Sequence, residues 1–61
     1  MKALIIDDEN KARRLLEALL MDVCPEIKTI YQAPNLTSGI SIIEEESPDI
    51  VFLYQLNSKK C

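Results

Sequence analysis

The sequence predicts an α/β fold with the element order βαβαβ and a parallel three-stranded sheet of order 2-1-3. Three observations lead to this prediction: three short apolar runs, two segments of helical periodicity between them, and polar or proline-containing breaks at the junctions. A continuous apolar run is typical of a strand buried on both faces. Strands that alternate with helices favour a parallel sheet, and right-handed crossovers then place the two helices on opposite faces of a central first strand.

The first strand and the first helix are separated by an acidic pair. Residues 3–6 form the apolar run "ALII", which stops at Asp7-Asp8. From Asn10 onward the apolar residues recur with helical spacing, in a stripe made of Ala12, Leu15, Leu16, Leu19, Leu20 and Val23. We expect Asn10 to be the N-cap. Pro25 ends the helix, because the residue before a proline avoids helical dihedrals.

The second strand and the second helix follow the same logic. The β-branched and aromatic residues of segment 27–31 predict a strand, and Asn35 is a candidate helix cap after the loop 33–35. A second helical stripe comprises Leu36, Ile40 and Ile43, with Ile42 beside them. Gly39 within it weakens the helix by about 1 kcal/mol relative to alanine. The acidic run 44–46 is expected to be a solvated helix end.

The third strand follows a break at residues 47–49 and is the last element that the pattern predicts. It consists of Ile50, Val51, Phe52 and Leu53. Tyr54 and a polar segment that ends in two lysines and a cysteine come after it. The whole chain has 61 residues, which corresponds to at most one small domain with a limited core.

Composition excludes several classes of function. The net charge of -3 disfavours a nucleic-acid-binding surface, which needs a basic stripe. No apolar run reaches membrane-spanning length, and the start "MKALIIDDEN" does not match a signal peptide, so we expect a cytoplasmic protein with no membrane partner. Cys24 and Cys61 fit no metal-binding spacing, and the chain has no histidine. We expect Cys24 to be packed or partly exposed and not a nucleophile.

The predicted strand order makes the carboxyl edge of the sheet the candidate site. The ends of the first and third strands lie side by side there, which is where open α/β sheets place their ligands. Asp7 and Asp8 could bind Mg²⁺, which takes one or two carboxylates and keeps several waters. Helix capping and solvation is the other interpretation of this pair. Similarly, Arg13 and Arg14 could form a phosphate- or kinase-binding patch, or a solvated helix face on which Arg13 pairs with Glu17.

Two segments, "MKALIIDDENKARRLLEALL" and "SPDIVFL", resemble the N-terminal half of a response-regulator receiver domain over residues 1–53. The resemblance implies a flavodoxin-like fold and Mg²⁺-dependent transfer of a phosphoryl group from a histidine kinase to an aspartate. It implies that Asp7 and Asp8 hold the Mg²⁺, with Asp8 as the direct ligand. The stretch "ARRLL" at residues 12–16 looks most like regulators that carry a LytTR-type output domain.

The chain departs from the family pattern at the phosphoacceptor position, where Tyr54 stands. A phenol with a reference pKa near 10 is neutral at pH 7, is a poor Mg²⁺ ligand and cannot form an acyl phosphate. We therefore predict a truncated receiver fragment that is not an enzyme and does not accept phosphate, with a vestigial or weak Mg²⁺ site. Residues 54–61 are interpreted as a tail outside the family pattern. A frame-shifted gene, an engineered fragment and a natural short protein all remain open.

A half-receiver exposes the third strand, which predicts self-association. An apolar edge strand with unpaired backbone groups favours pairing with another chain. We expect a homodimer in which residues 50–53 pair with their two-fold mate to give one continuous sheet. The alternative function is therefore a dimerising structural or interaction half-domain without signalling chemistry.

Overall fold

Three parallel strands and two helices alternate along residues 1–54, the part of the chain that this computed structural model describes. The elements are β1 (Lys2–Ile6), α1 (Asn10–Val23), β2 (Thr29–Ala33), α2 (Leu36–Glu46) and β3 (Ile50–Leu53). The sheet has the order β2-β1-β3, and β1 pairs in parallel with both neighbours. The predicted βαβαβ half of a flavodoxin-like fold is therefore confirmed. The predicted tail lies almost wholly outside the described residues.

β1 lies at the centre of the molecule and is buried on both faces. Its residues 3–6 are almost fully enclosed. Side chains alternate along a strand, so Ala3 and Ile5 face one helix while Leu4 and Ile6 face the other. The two helices consequently cover opposite faces of the sheet, as the crossover rule predicts.

α1 covers one face, but only part of its predicted apolar stripe is buried. Leu16 and Leu20 pack with Ala3 and Ile5, and this cluster is completed by Cys24, Ile27, Ile30, Ile50 and Phe52. Leu15 is 74% exposed, and Leu19 and Val23 are also exposed. The helix faces the sheet with residues 13, 16, 17, 20 and 24, which are buried or half-buried.

α2 covers the other face through Gly39 and Ile42, and not through the predicted stripe. Gly39 is buried against Ile6, and Ile42 packs on the cluster of Leu4, Ile6 and Ala33. The three residues of the predicted stripe are exposed, namely Leu36, Ile40 and Ile43. The glycine explains this orientation, because its missing side chain lets the helix backbone approach the sheet closely.

The helix caps agree with the sequence in one case and differ in the other. Asn35 caps α2 as predicted, and its side chain accepts a hydrogen bond from the Ser38 N–H at 2.8 Å. The prediction of Asn10 as the cap of α1 is wrong: Glu9 takes that position without a side-chain cap bond. The Asn10 side chain instead accepts a hydrogen bond from Arg13, so a partner three residues ahead displaces it from capping.

β2 begins and ends two residues later than predicted. Ile27 is buried in the α1-side cluster, but its N–H bonds to the Cys24 carbonyl in a turn, at 3.0 Å. Pairing with β1 then runs from Thr29 to Ala33. Burial of an apolar residue in the turn before the strand gave the same apolar signal as a strand residue, which shifted the predicted boundary.

A polar cluster fastens the amino edge of the sheet. The Tyr31 hydroxyl donates to the Glu46 carboxylate at 2.9 Å, and Lys2 Nζ donates to the Glu46 carbonyl at 3.0 Å. The Asp49 carboxylate accepts from the Lys2 N–H at 2.8 Å. Glu46 is thus held at the end of α2, whereas Glu44 and Glu45 are solvated as predicted. The cluster links β1, β2, α2 and the approach to β3.

Replacing Gly39 with alanine is expected to lower the free energy of unfolding by about 1 kcal/mol. A Cβ at this position would overlap Cδ1 of Ile6 and lie 2.9 Å from its Cγ1. Overpacking typically costs about 1–3 kcal/mol, against a helix-propensity gain of about 1 kcal/mol. Urea unfolding measures the difference. The same substitution should cost less in an Ile6→Val background, which removes Cδ1. Stabilisation of the otherwise unchanged chain by Gly39→Ala would contradict the close approach.

The Tyr31–Glu46 bond predicts a loss of stability at high pH. The hydrogen bond to Glu46, with burial and the Glu46 charge, raises the pKa of Tyr31 above its usual value of 10.0. Because the folded state favours the protonated phenol, this contribution is complete below pH 10 and is lost as pH rises through the folded-state pKa. Unfolding in urea between pH 8 and about 11 should show a steeper decline for the native chain than for Tyr31→Phe. Parallel pH profiles would contradict the role of this bond.

Candidate cation site at the carboxyl edge of the sheet

The parallel register brings the acidic pair and Tyr54 to neighbouring strand ends. Ile6 is aligned with both Ala33 on β2 and Leu53 on β3. The pairing continues one residue further on both sides, since Asp7 N–H donates to the Ala33 carbonyl at 3.1 Å and Tyr54 N–H donates to the Ile6 carbonyl at 2.9 Å. Asp7 and Tyr54 therefore begin the two chain segments that leave adjacent strands at the same edge.

Asp7 is a buried carboxylate with only part of its hydrogen-bonding capacity filled. Its exposed fraction is 4%. Oδ1 accepts a hydrogen bond from the Glu9 N–H at 3.0 Å, and no donor within residues 1–54 reaches Oδ2. A buried carboxylate without full compensation is costly, so an oxygen in this state suits a cation or water as its partner.

Asp8 differs from Asp7 because its side chain is exposed. It lines a shallow open depression together with Glu9, Asn10 and Lys11. A cation held by both aspartates could therefore keep several waters on the solvent side, as Mg²⁺ does in proteins. Across residues 1–54, no group of three or more acidic, cysteine or histidine side chains is arranged to enclose a metal ion.

Arg13 bonds to the loop between β1 and α1, contrary to the solvated pairing with Glu17 expected from the sequence. Its Nη1 donates to the Asp7 carbonyl, its Nη2 to Asn10 Oδ1 at 3.0 Å, and its Nε to Gln32 Oε1 at 3.2 Å. Gln32 Nε2 in turn donates to the Glu17 carboxylate. Arg13 and Glu17 are thus connected through Gln32 on β2. Arg14 is exposed, as the solvated interpretation predicts.

Tyr54 lies at the end of β3 with 59% of its surface exposed. Its backbone is fixed by the bond to Ile6, so the side chain leaves the sheet where the receiver pattern places the acceptor aspartate. Cys24 lies at the far end of α1, half-buried against the α1-side cluster, in agreement with the prediction that it is packed. It has no part in this edge. Cys61 is outside the described residues.

The residues at this edge are an acidic pair and a tyrosine. They offer one buried and one exposed carboxylate on a turn whose backbone is held at several points. The crossover rule predicts the strand order, and the structure accordingly has Asp7 and Tyr54 at adjacent strand ends. Sequence reasoning missed Gln32 and the orientation of Arg13, since their contact joins α1 to β2 and leaves no local pattern.

Three curated relatives are similar to most of this chain. An uncharacterized response regulatory protein of Vibrio cholerae is 43% identical over 53 residues, which cover 87% of this chain and 22% of the relative. One from Vibrio parahaemolyticus is 43% identical over 51 residues, 84% of this chain and 21% of the relative. A further uncharacterized response regulatory protein of Vibrio cholerae is 35% identical over 51 residues, which cover 84% of this chain and 20% of the relative.

These similarities support a relationship to response regulatory proteins. The chain spans about a fifth of the length of the curated relatives it matches. No protein-family model matches the sequence, and no solved structure matches it. Within residues 1–54, neither helix has the length and apolar character needed to cross a membrane.

Proposed function

We propose that this chain is the N-terminal half of a two-component receiver domain that binds Mg²⁺ weakly and does not accept a phosphoryl group. The observation that carries the proposal is the meeting of Asp7 and Tyr54 at adjacent strand ends. It occurs on a β2-β1-β3 sheet in a sequence that is similar to response regulatory proteins. This arrangement supports the proposal, because the receiver pattern has its Mg²⁺-binding pair and its acceptor at adjacent strand ends.

Mg²⁺ would bind at Asp7 and Asp8. The exposed Asp8 carboxylate would be the direct ligand. Asp7 would contribute Oδ2, which no donor within residues 1–54 reaches. When bound, the ion would supply a positive charge that attracts phosphoryl oxygens. Two carboxylates without a third anionic ligand support weak binding only, because cation affinity rises with the charge of the ligand set.

Tyr54 disables phosphoryl transfer in this proposal for a chemical reason. Formation of an acyl phosphate requires a carboxylate oxygen to attack phosphorus, and a phenol provides none. A neutral phenol also leaves the negative charge of the site one unit lower than an aspartate would. The chain therefore performs no catalysis, and a histidine kinase is a partner by family resemblance only.

The finer family placement is also a proposal. The "ARRLL" stretch at residues 12–16 supports the class of regulators with LytTR-type output domains. We expect a cytoplasmic location, and no nucleic-acid contact by these residues, given the net charge of -3. The boundary between a receiver half at 1–53 and a tail at 54–61 stays a prediction.

Incubation with Mg²⁺ and acetyl phosphate tests the loss of the acceptor. We expect the intact mass of the chain to stay unchanged, because Tyr54 offers no carboxylate to phosphorylate. Mass spectrometry before and after hydroxylamine treatment gives the readout. A mass gain of one phosphoryl group that hydroxylamine removes would show that another carboxylate serves as acceptor, and would contradict the proposal.

The Mg²⁺ affinity of a Tyr54→Asp variant tests whether position 54 faces the cation. A carboxylate beside Asp7 should tighten Mg²⁺ binding by about tenfold, because it adds a negative ligand at the strand end. Tyr54→Asn is the control, since its amide supplies an oxygen without the charge. Equal Mg²⁺ affinity for Tyr54→Asp and the native chain would mean that position 54 does not face the cation.

A dimerising half-domain is the second candidate function, favoured by the state of β3. This strand is an edge of the described sheet, contains no charged residue, and leaves Val51 42% and Leu53 54% exposed. β2 is the other edge, but helices cover most of it and Thr29 is its one exposed residue. Pairing of β3 with its two-fold mate would satisfy its free backbone groups and set Val51 and Leu53 beside the mate's side chains on the same face.

Val51→Lys tests this pairing, because a lysine on an edge strand opposes addition of another strand. Light scattering coupled to size-exclusion chromatography should give a dimer for the native chain and a smaller species for the variant. Val23→Lys on the exposed side of α1 is the control and should leave the dimer intact. A folded native monomer at micromolar concentration would rule out the dimer.

A further inference from the structure

Two adjacent arginines on α1 occupy very different environments. Arg13 is half-buried and makes three side-chain hydrogen bonds, whereas Arg14 is exposed and makes none within residues 1–54. Both carry the same charge and are adjacent in the sequence. The difference between them therefore lies in what the Arg13 guanidinium holds together.

The guanidinium group of Arg13 connects the turn between β1 and α1 to β2. Nη1 and Nη2 reach the Asp7 carbonyl and the Asn10 side chain, which lie at the two ends of the turn between β1 and α1. Nε reaches Gln32 on β2, and Gln32 is itself held by its bond to Glu17. One planar guanidinium group thereby bonds to both ends of the turn and links them to the sheet.

Asp7 consequently has little freedom to rearrange. Its N–H is bonded to Ala33, its carbonyl to Arg13, and its Oδ1 to the Glu9 N–H. Oδ2 of this buried residue has no donor among residues 1–54, and Asp8 follows directly. We propose that Arg13 is a positioning residue that holds the turn from Asp7 to Asn10 in its cation-binding conformation. This inference rests on the proposed Mg²⁺ site.

The charge of Arg13 cannot explain its placement by attraction to a cation. A guanidinium close to a Mg²⁺ site repels the ion, so its benefit must come from geometry. Arginine presents several donors in a planar fork, whereas lysine is a point charge on a flexible stem. Arg13→Lys therefore keeps the charge and the helix propensity of the position but cannot reproduce three bonds in fixed directions.

Mg²⁺ titration of the native chain, Arg13→Lys and Arg14→Lys separates these roles. Amide shifts of Asp7, Asp8 and Glu9 in ¹⁵N NMR report binding, with NaCl at matched ionic strength as the reference. We expect Arg13→Lys to bind about tenfold more weakly, as is typical when a residue that orients a metal ligand is lost. Arg14→Lys should match the native chain. A purely electrostatic role for Arg13 predicts no change in either variant.

Hydrogen exchange of the Glu9 amide provides a readout that needs no metal. This amide bonds to Asp7 Oδ1, so loosening of the turn should speed its exchange in Arg13→Lys and not in Arg14→Lys. Gln32→Met removes the partner of Nε, together with the bond from Gln32 to Glu17, and serves as a second variant with an intact Arg13. It should give a smaller change of the same sign.

The outcomes distinguish this inference from the proposed function. Equal Mg²⁺ affinity in the native chain and Arg13→Lys would overturn the positioning role while leaving the cation site in place. If the native chain binds no Mg²⁺, the proposed cation site is wrong. Hydrogen exchange of the Glu9 amide then tests whether Arg13 holds the turn. Faster exchange of the Glu9 amide in Arg13→Lys, but not in Arg14→Lys, would support the role of Arg13 in holding the turn. Unchanged exchange in Arg13→Lys would overturn that role.

Discussion

Every part of this small fold depends on the burial of β1 between two strands and two helices. Its backbone pairs with both neighbours, and residues 3–6 are enclosed on both faces. The same strand delivers Asp7 to the carboxyl edge and Lys2 to the polar cluster at the amino edge. The candidate site is thus built on the most buried element, while the groups around it are added from α1, β2 and β3.

The sequence was informative wherever one local pattern determined the outcome. Element order, strand order and the Asn35 cap follow from apolar periodicity, crossover handedness and cap chemistry, and all three are confirmed. Boundaries and helix orientation were less accessible. Ile27 is apolar because the core needs it in a turn, and Gly39 turns α2 so that Ile42, and not Ile40, meets the sheet. Both effects depend on tertiary packing that periodicity does not encode.

The candidate site shows the same division. The juxtaposition of Asp7, Asp8 and Tyr54 follows from topology, whereas the burial of Asp7 and the Arg13–Gln32–Glu17 chain join segments that are distant in sequence. These contacts explain how two adjacent carboxylates are tolerated at one strand end. The Asp7 carboxylate accepts a bond from the Glu9 N–H while Arg13 holds the Asp7 carbonyl, and the Asp8 carboxylate is solvated. Apolar side chains stay exposed on α1, α2 and β3, because the sheet covers only one side of each helix.

The most direct test of the account is a Mg²⁺ titration of the native chain beside Asp8→Asn, with Asp22→Asn as the control for an exposed acidic residue on α1. We predict weak, saturable Mg²⁺ binding that perturbs the amides of Asp7 and Asp8, is lost in Asp8→Asn and is unchanged in Asp22→Asn. Equal binding in all three chains, or no saturable response at the β1–α1 turn, would contradict a cation site at the carboxyl edge of the sheet.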